Sequence, residues 1–180
     1  MKTRKVKGFT LVELIVVIAI IGVLAAILVP SMLGYVKKSK VSAANSNAKS
    51  LYDAVATSIV EIDSEGHTIG AGDYTIAGKY QAPATAPAAA DVTASDITGG
   101  AVVNDYIWWK VYNYFNGITE LSAVGFSVVS SAGTGAVTFD GAYVGTYPKT
   151  ATTDNASKST FAAADVKNAL KYAVDGTTAF

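Results

Sequence analysis

From Leu14 to Val29 the chain carries no polar side chain at all: LIVVIAIIGVLAAILV. Roughly 20 apolar residues cross a bilayer as a helix, and the run reaches Leu33 with only Pro30 and Ser31 intervening. Any fold must give this segment lipid or protein to lie against. Lys2, Arg4, Lys5 and Lys7 precede it, and one carboxylate, Glu13, stands at its threshold. An ionised side chain at the bilayer centre costs at least ~2.5–3.5 kcal/mol, so Glu13 needs a partner or a task.

Three readings compete for residues 1–34. A secretory signal peptide would have the basic start, the apolar core and small residues such as Ala25 and Ala26 near a cut. Glu13 inside that core argues against it, as does an apolar run that continues past the alanines. A plain signal anchor accounts for the length but gives Glu13 nothing to do. The third reading gives the acid a role. The stretch KGFTLVE, residues 7–13, resembles the processing site of type IV prepilins and pseudopilins. The resemblance implies cleavage between Gly8 and Phe9 by a prepilin peptidase, and N-methylation of the new terminal Phe9. Glu13 then stands at the fifth mature position and Pro30 at the twenty-second, where members of the family commonly have these residues.

Elementary electrostatics agrees with that resemblance. Cleavage would expose an α-amine at Phe9, with an unperturbed pKa of about 8 and hence largely cationic. It is the nearest positive charge that processing creates for Glu13. The family resemblance implies a pairing between neighbouring subunits, which makes Glu13 an assembly residue. The same two groups could also meet within one chain, because positions i and i+4 share a helix face. Lys37, Lys38 and Lys40 follow the span closely, so the charge bias places the amino terminus on the cytoplasmic side only slightly.

Beyond Gly34 the pattern turns amphipathic. Val41, Ala44, Ala48, Leu51, Tyr52, Val55, Ala56, Ile59 and Ile62 recur at spacings of three and four, which predicts one buried helix face. Asn45, Asn47, Lys49 and Asp53 fall mostly off it. One stem helix from Phe9 to Ile62 follows. Gly22, Pro30 and Gly34 lower its helical propensity, and Pro30 removes a backbone donor, so these three residues are expected to let the stem bend. Residues 63–100 are rich in small residues, with Pro83 and Pro87, and read as an irregular connection with one short helix near 90–97. The stretch AVVNDYIWWKVYNYFNG suits a strand by its aromatics and a helix by its length. Gly117, placed as a cap, favours the helix, with Trp108, Val111, Tyr112 and Phe115 on one face. Phe126–Ser130, Ala136–Asp140 and Ala142–Tyr147, separated by Gly133–Gly135 and Gly141, predict an antiparallel meander. Ser159 or Thr160 would cap a last helix through Ala173, with Phe161, Val166, Ala169, Leu170 and Val174 inward and Asp175-Gly176 as its stop.

The resulting class is α+β: a long amino-terminal helix packed on a small antiparallel sheet, with a carboxyl-terminal helix. Residues 1–8 are the expected leader, 9–34 the membrane and assembly helix, 35–62 its amphipathic continuation and 63–180 the head domain. A stem on a small sheet is also the pilin architecture that the resemblance implies.

Chemistry finds little foothold. There is no cysteine, so neither a disulfide nor a thiolate metal site can exist. The single histidine, His67, has Asp63 and Glu65 nearby, but one His beside two acids reads more simply as a solvated loop. Asp154, Asp165 and Asp175 are loose calcium candidates at best, and no spacing matches a calcium-binding loop. No nucleophile elbow or phosphate-cradling loop is present, and no cofactor or metal is expected. Setting the first four bases aside leaves ten basic against fourteen acidic side chains, a net of −4. That balance does not suggest nucleic-acid binding.

Function therefore points to a structural subunit of a type IV pilus-like surface filament, for adhesion or motility. The alternative is a pseudopilin of a type II secretion or DNA-uptake apparatus, the one case that would involve nucleic acid. A monomeric membrane-tethered binding protein is the third possibility. The resemblance implies as partners identical or related pilin subunits, the peptidase and methyltransferase, an assembly platform with its ATPase, and the membrane before assembly. It implies a final place outside the cell. Most pilins of Gram-negative bacteria close their carboxyl-terminal region with a disulfide, so the missing cysteines point to a Gram-positive source.

Overall fold

The computed structural model describes residues 8–85, 87, 96–97, 101–129, 132–156 and 163–178. It divides into two compact units, Met1–Lys38 and Ser39–Phe180. Helix α1, Leu11–Ser64, contributes to both. Within the first unit every described residue up to Val36 is exposed. The helix passes through Gly22, Pro30 and Gly34 without a break, and the Ser31 hydroxyl donates to the Leu28 carbonyl at 2.9 Å, beside the donor that Pro30 lacks.

In the second unit the buried residues of α1 are Val41, Ala44, Ala48, Leu51, Ala54, Val55, Ser58, Ile59 and Ile62. Ala54 and Ser58 join the expected stripe, while Tyr52 and Ala56 lie at its edge. The helix ends two residues beyond Ile62. Gly66 turns the chain with φ 87, so that His67 N–H reaches Ile62 O and Gly66 N–H reaches Asp63 O. This paired closure needs a residue that tolerates positive φ.

A short parallel pair follows, β1 (Thr68–Ile69) with β3 (Asp96–Ile97). The helix expected near 90–97 thus gives way to a strand at its last two positions, and residues 90–95 lie outside the described residues. The main sheet has the order β2-β4-β5-β6, all antiparallel. Its strands are β2 (Gly72–Ile76), β4 (Ala123–Val129), β5 (Ala132–Asp140) and β6 (Tyr143–Tyr147). The meander was legible, but β2 was not, because GDYTI sits among glycines and alternates only weakly. Gly133–Gly135, expected as a turn, belong to β5. A register shift opposite Ser127/Val128 makes room for the extra residue, an ordinary bulge. It sends Gly133 to one face of the sheet, against Val55, and Gly135 to the other, against Val174 and Ala173.

Helix α2, Ala101–Tyr114, settles the ambiguous aromatic stretch as a helix. Gly117 is not its cap; it lies inside a 3-10 turn, Asn116–Glu120. Trp108 and Val111 are buried, with Tyr112 and Phe115 packed partly beneath them. Residues from α1 and α2 bury Tyr74, Val124, Phe126, Val128 and Ala136 on one face of the sheet. On the opposite face, α3 (Ala163–Asp175) sets Val166, Ala169 and Leu170 on Ala123, Val137, Phe139 and Val144. Val174, expected inward, is half exposed, whereas Ala173 is buried; Phe161 and the capping residues Ser159 and Thr160 lie outside the described residues. Gly176 stops the helix at φ 74.

The closest seam between helix and sheet is at β6. A Cβ built on Gly145 would lie 1.9 Å from the Ala44 carbonyl oxygen. Thr138 Oγ1 donates to that same oxygen at 3.0 Å. Asn45, expected off the buried face, is instead the fastener. Its Oδ1 accepts from Thr146 N–H at 3.0 Å and Ala151 N–H at 3.1 Å, and its Nδ2 donates to Ala151 O at 2.9 Å. With Val144 N–H bonded to Ala156 O, these contacts satisfy backbone groups along the outer edge of β6, which would otherwise invite pairing with another chain. Gly145→Ala should therefore cost at least the ~1–3 kcal/mol of ordinary overpacking, since backbone rather than a side-chain tip is in the way. Gly133→Ala, whose Cβ would meet Val55 at 3.5 Å, should change stability little. Thermal melts of the two variants in detergent, side by side, check this; equal melting temperatures would contradict the close-seam account.

Candidate assembly site

Phe9 and Gly8 precede the helix, both exposed and in non-helical backbone. The residues that follow, Thr10-Leu11-Val12-Glu13, form a capping box. Thr10 N–H donates to Glu13 Oε2 at 2.8 Å and Thr10 Oγ1 donates to the same oxygen at 2.7 Å. Glu13 N–H returns a longer bond to Thr10 Oγ1 at 3.3 Å. Two donors at the helix start are thereby satisfied reciprocally, and the carboxylate lies in the first turn, where the helix dipole favours a negative charge. The signal T-x-x-E was in the sequence, and only the membrane cost of the acid had drawn attention to it. Both bonds from Thr10 fall on Oε2, so Oε1 has no protein partner among the described residues. One carboxylate can thus cap its own helix and still accept from a cation.

Beyond it, from Leu14 to Val29, the exposed surface is wholly apolar. The helix from Leu11 onward holds a window long and apolar enough to cross a membrane, with none of it buried. Val16, Ala19, Ile20, Val23 and Leu24 line a shallow depression of about 370 Å³ on this surface. No other described residue of the chain covers it.

A second set of charges was missed. Lys110 on α2 is buried, with its Nζ 2.5 Å from Glu61 Oε1 and 2.6 Å from Glu65 Oε1. Tyr106 donates to Glu65 Oε2 and Tyr114 to Glu61 Oε2. The ammonium also lies 5.4 Å from the Tyr106 ring centre and 5.7 Å from that of Trp109. Burial alone would lower the Lys110 pKa, but the bonds to Glu61 and Glu65 outweigh it and hold it above its ordinary value. Burial likewise opposes the charge on Glu65, yet the bonds from Lys110 and Tyr106 hold it below the usual carboxylate value. Tyr106 is pushed up to about 12, by burial first and by Glu65 second. Glu65, expected in a solvated loop beside His67, is bonded instead to Lys110. Nothing in the spacing of Lys110 foretold its burial, except that it lies among five aromatics in WWKVYNYF.

Among the described residues no group of three His, Asp or Glu side chains could hold a metal ion. Asp175 is occupied in a turn, accepting from the backbone N–H groups of Thr177 and Thr178 and from the Thr178 hydroxyl. These bonds hold its pKa at about 2. The structure does not bring Asp154, Asp165 and Asp175 together as a cluster.

Comparison with known proteins places these features. Residues 3–29 match the family model described as the prokaryotic N-terminal methylation motif, a span that includes Gly8, Phe9, Glu13 and Gly22. The type IV major fimbrial protein FimA of Dichelobacter nodosus is 35% identical over 107 residues, covering 53% of this chain and 69% of that protein. The chain belongs to the type IV pilin family. The type IV major pilin protein PilA of Myxococcus xanthus is 47% identical over 32% of this pilin and 26% of its own length. A fimbrial protein of Moraxella nonliquefaciens is 42% identical over 41% of this pilin and 50% of its own. The matches thus span between 26% and 69% of these relatives. No solved structure matches the chain at a significant level. The Gram-positive source expected from the missing cysteines finds no support among these relatives.

Two outcomes test the Lys110 cluster. Lys110→Met leaves Glu61 and Glu65 facing each other, and breaking a buried pair typically costs ~3–5 kcal/mol. The carboxylates are about a third exposed, so on the order of 3 kcal/mol is expected, the lower end of that range. The pH dependence follows from the signs. A depressed folded pKa at Glu65 stabilises fully above its ordinary 4.5 and is lost as pH falls through the lower folded value. Tyr106, raised from 10.0 to about 12, stabilises fully below pH 10.0 and loses that between 10.0 and about 12. Melting temperatures across pH should fall on both sides for the native chain, with a smaller acid loss in Lys110→Met. Identical acid slopes would contradict it.

Proposed function

We propose that this pilin is the structural subunit of a type IV pilus-like surface filament, polymerising through its apolar amino-terminal helix. The observation that carries this reading is the bare helix. A surface from Leu11 to Val36 with no cover of its own must lie in lipid or against other copies, and family membership supplies a route from one to the other. In this reading the chain starts as a single-pass membrane protein. A prepilin peptidase cuts between Gly8 and Phe9, Phe9 is N-methylated, and an assembly platform with its ATPase moves the subunit outward. Gly22, Pro30 and Gly34 would be the places where the helix yields on packing. Names among the matched relatives are those of pilins and fimbrial proteins, which gives the secretion and DNA-uptake alternative no added weight. Adhesion or motility is the task such a filament would serve, and nothing here suggests catalysis.

Glu13 has two jobs in this account. Its Oε2 holds the capping box, and its Oε1 accepts from the Phe9 amine of a neighbouring subunit. An ammonium buried in an apolar bundle without that partner is penalised by several kcal/mol.

Processing and pairing are tested together. The intact mass of sheared filaments should correspond to a chain that begins at methylated Phe9; retention of residues 1–8, or a terminus near Ala26, would contradict it. Glu13→Val should reach the membrane and still be cut, yet yield few or no filaments. Glu13→Asp should be intermediate, since its reach is one methylene shorter. Subunit in sheared and membrane fractions is the measurement, and a normal filament yield from the Val variant would refute the pairing.

A further inference from the structure

The charges of the stem are segregated. After Glu13 no acid occurs until Asp53, and the bases in that interval are Lys37, Lys38, Lys40 and Lys49. From Ser50 to Gly78 the order reverses: Asp53, Glu61, Asp63, Glu65 and Asp73 occur with no lysine or arginine. Among the described residues neither Lys37 nor Lys38 takes part in an ion pair, since both ion pairs belong to Lys110.

The acidic part also carries an open apolar groove of about 530 Å³. Ala56, Thr57, Val60, Glu61 and Ser64 supply one wall, on a single face of α1, and Tyr114 of α2 supplies the other. Val60 is 70% exposed and Tyr114 51%, unusual for large apolar side chains beside a well-packed core. Asp53 stands one turn before Thr57 on the same face and is exposed. The groove is therefore apolar at its floor and acidic at its rim. The matching surface would be helical, apolar and basic. This chain has one: Tyr35-Val36-Lys37-Lys38, in which Tyr35 is 77% exposed and Val36 50%.

We infer that the groove at Val60 and Tyr114 of one subunit receives the Tyr35–Lys38 segment of a second copy. Val36 or Tyr35 covers Val60 while Lys37 and Lys38 face Asp63, the exposed acid of that turn; Glu61 at the groove is already held by Lys110 and Tyr114. Parallel stems meet this way when offset by about 24 residues, about 36 Å at 1.5 Å per residue. Each exposed pair contributes little by itself, but a filament repeats it at every subunit, so its effect is on register and yield. The contact rests on the filament reading above and adds to it a specific register.

The native chain has no cysteine, so introduced thiols report without background. Cells would co-produce a tagged Val36→Cys chain and an untagged Val60→Cys chain, and sheared filaments would be treated with a short bismaleimide. Mixed dimers of tagged and untagged chains are expected, in several-fold excess over like–like dimers. Filaments that form without mixed dimers would overturn the contact while leaving the filament reading in place. A second arm uses charge. Lys37→Glu with Lys38→Glu should reduce sheared filament several-fold at an unchanged membrane level, and adding Asp63→Lys should restore at least half of it. An unchanged yield in the lysine pair, or no recovery in the threefold variant, would overturn the charge pairing. If the native chain itself gives no sheared filament, the filament reading fails, and this contact with it.

Discussion

Apolar surface without cover governs this molecule. The side chains from Leu14 to Val29 are exposed in the single chain, and twelve of them are valine, leucine or isoleucine. With about half of each side chain still exposed, covering them is worth on the order of 10–20 kcal/mol, as much as a small domain's whole stability. The segment therefore cannot stay in water, and everything polar near it must be justified. That condition gives Glu13 its significance. Its capping bonds to Thr10 satisfy the helix start but leave its charge, which only a cation can neutralise in an apolar surrounding.

The second unit answers a different demand: it holds α1 against a four-stranded sheet by tight approach at one strand. Gly145 lets β6 reach the Ala44 backbone, Asn45 and Thr138 tie down the polar groups this approach would strand, and Lys110 fastens α2 to the last turns of α1 through Glu61 and Glu65. Hydrogen bonds of this kind contribute modestly when made and cost more when one partner is missing. The seam is therefore specific as well as stabilising.

Much of this was legible in the residues. The apolar run, the stripe from Val41 to Ile62, the meander and the last helix each follow one period, and one period identifies one element. What escaped depended on tertiary context. Asn45 looked like a solvent-facing residue until β6 arrived beside it. The two carboxylates that hold Lys110 come from α1, so no pattern local to α2 could show them. Gly133–Gly135 read as a turn because a bulge cannot be seen in one strand without its partner. The capping box was the exception: Thr10 and Glu13 are local, and the signal was present but overshadowed by the question of membrane cost.

The central claim is that Glu13 acts by its charge, beyond its capping bonds, and substitution by glutamine separates the two. Glutamine keeps the length and can still accept from Thr10 in a capping box, but it carries no charge to set against an ammonium. The measurement is the ratio of sheared filament to membrane-bound subunit for Glu13→Gln, with helix content of the purified chain in detergent recorded alongside. The account expects native helix content with filament yield greatly reduced. Native helix content together with native filament yield would show that Glu13 is a helix cap and nothing more.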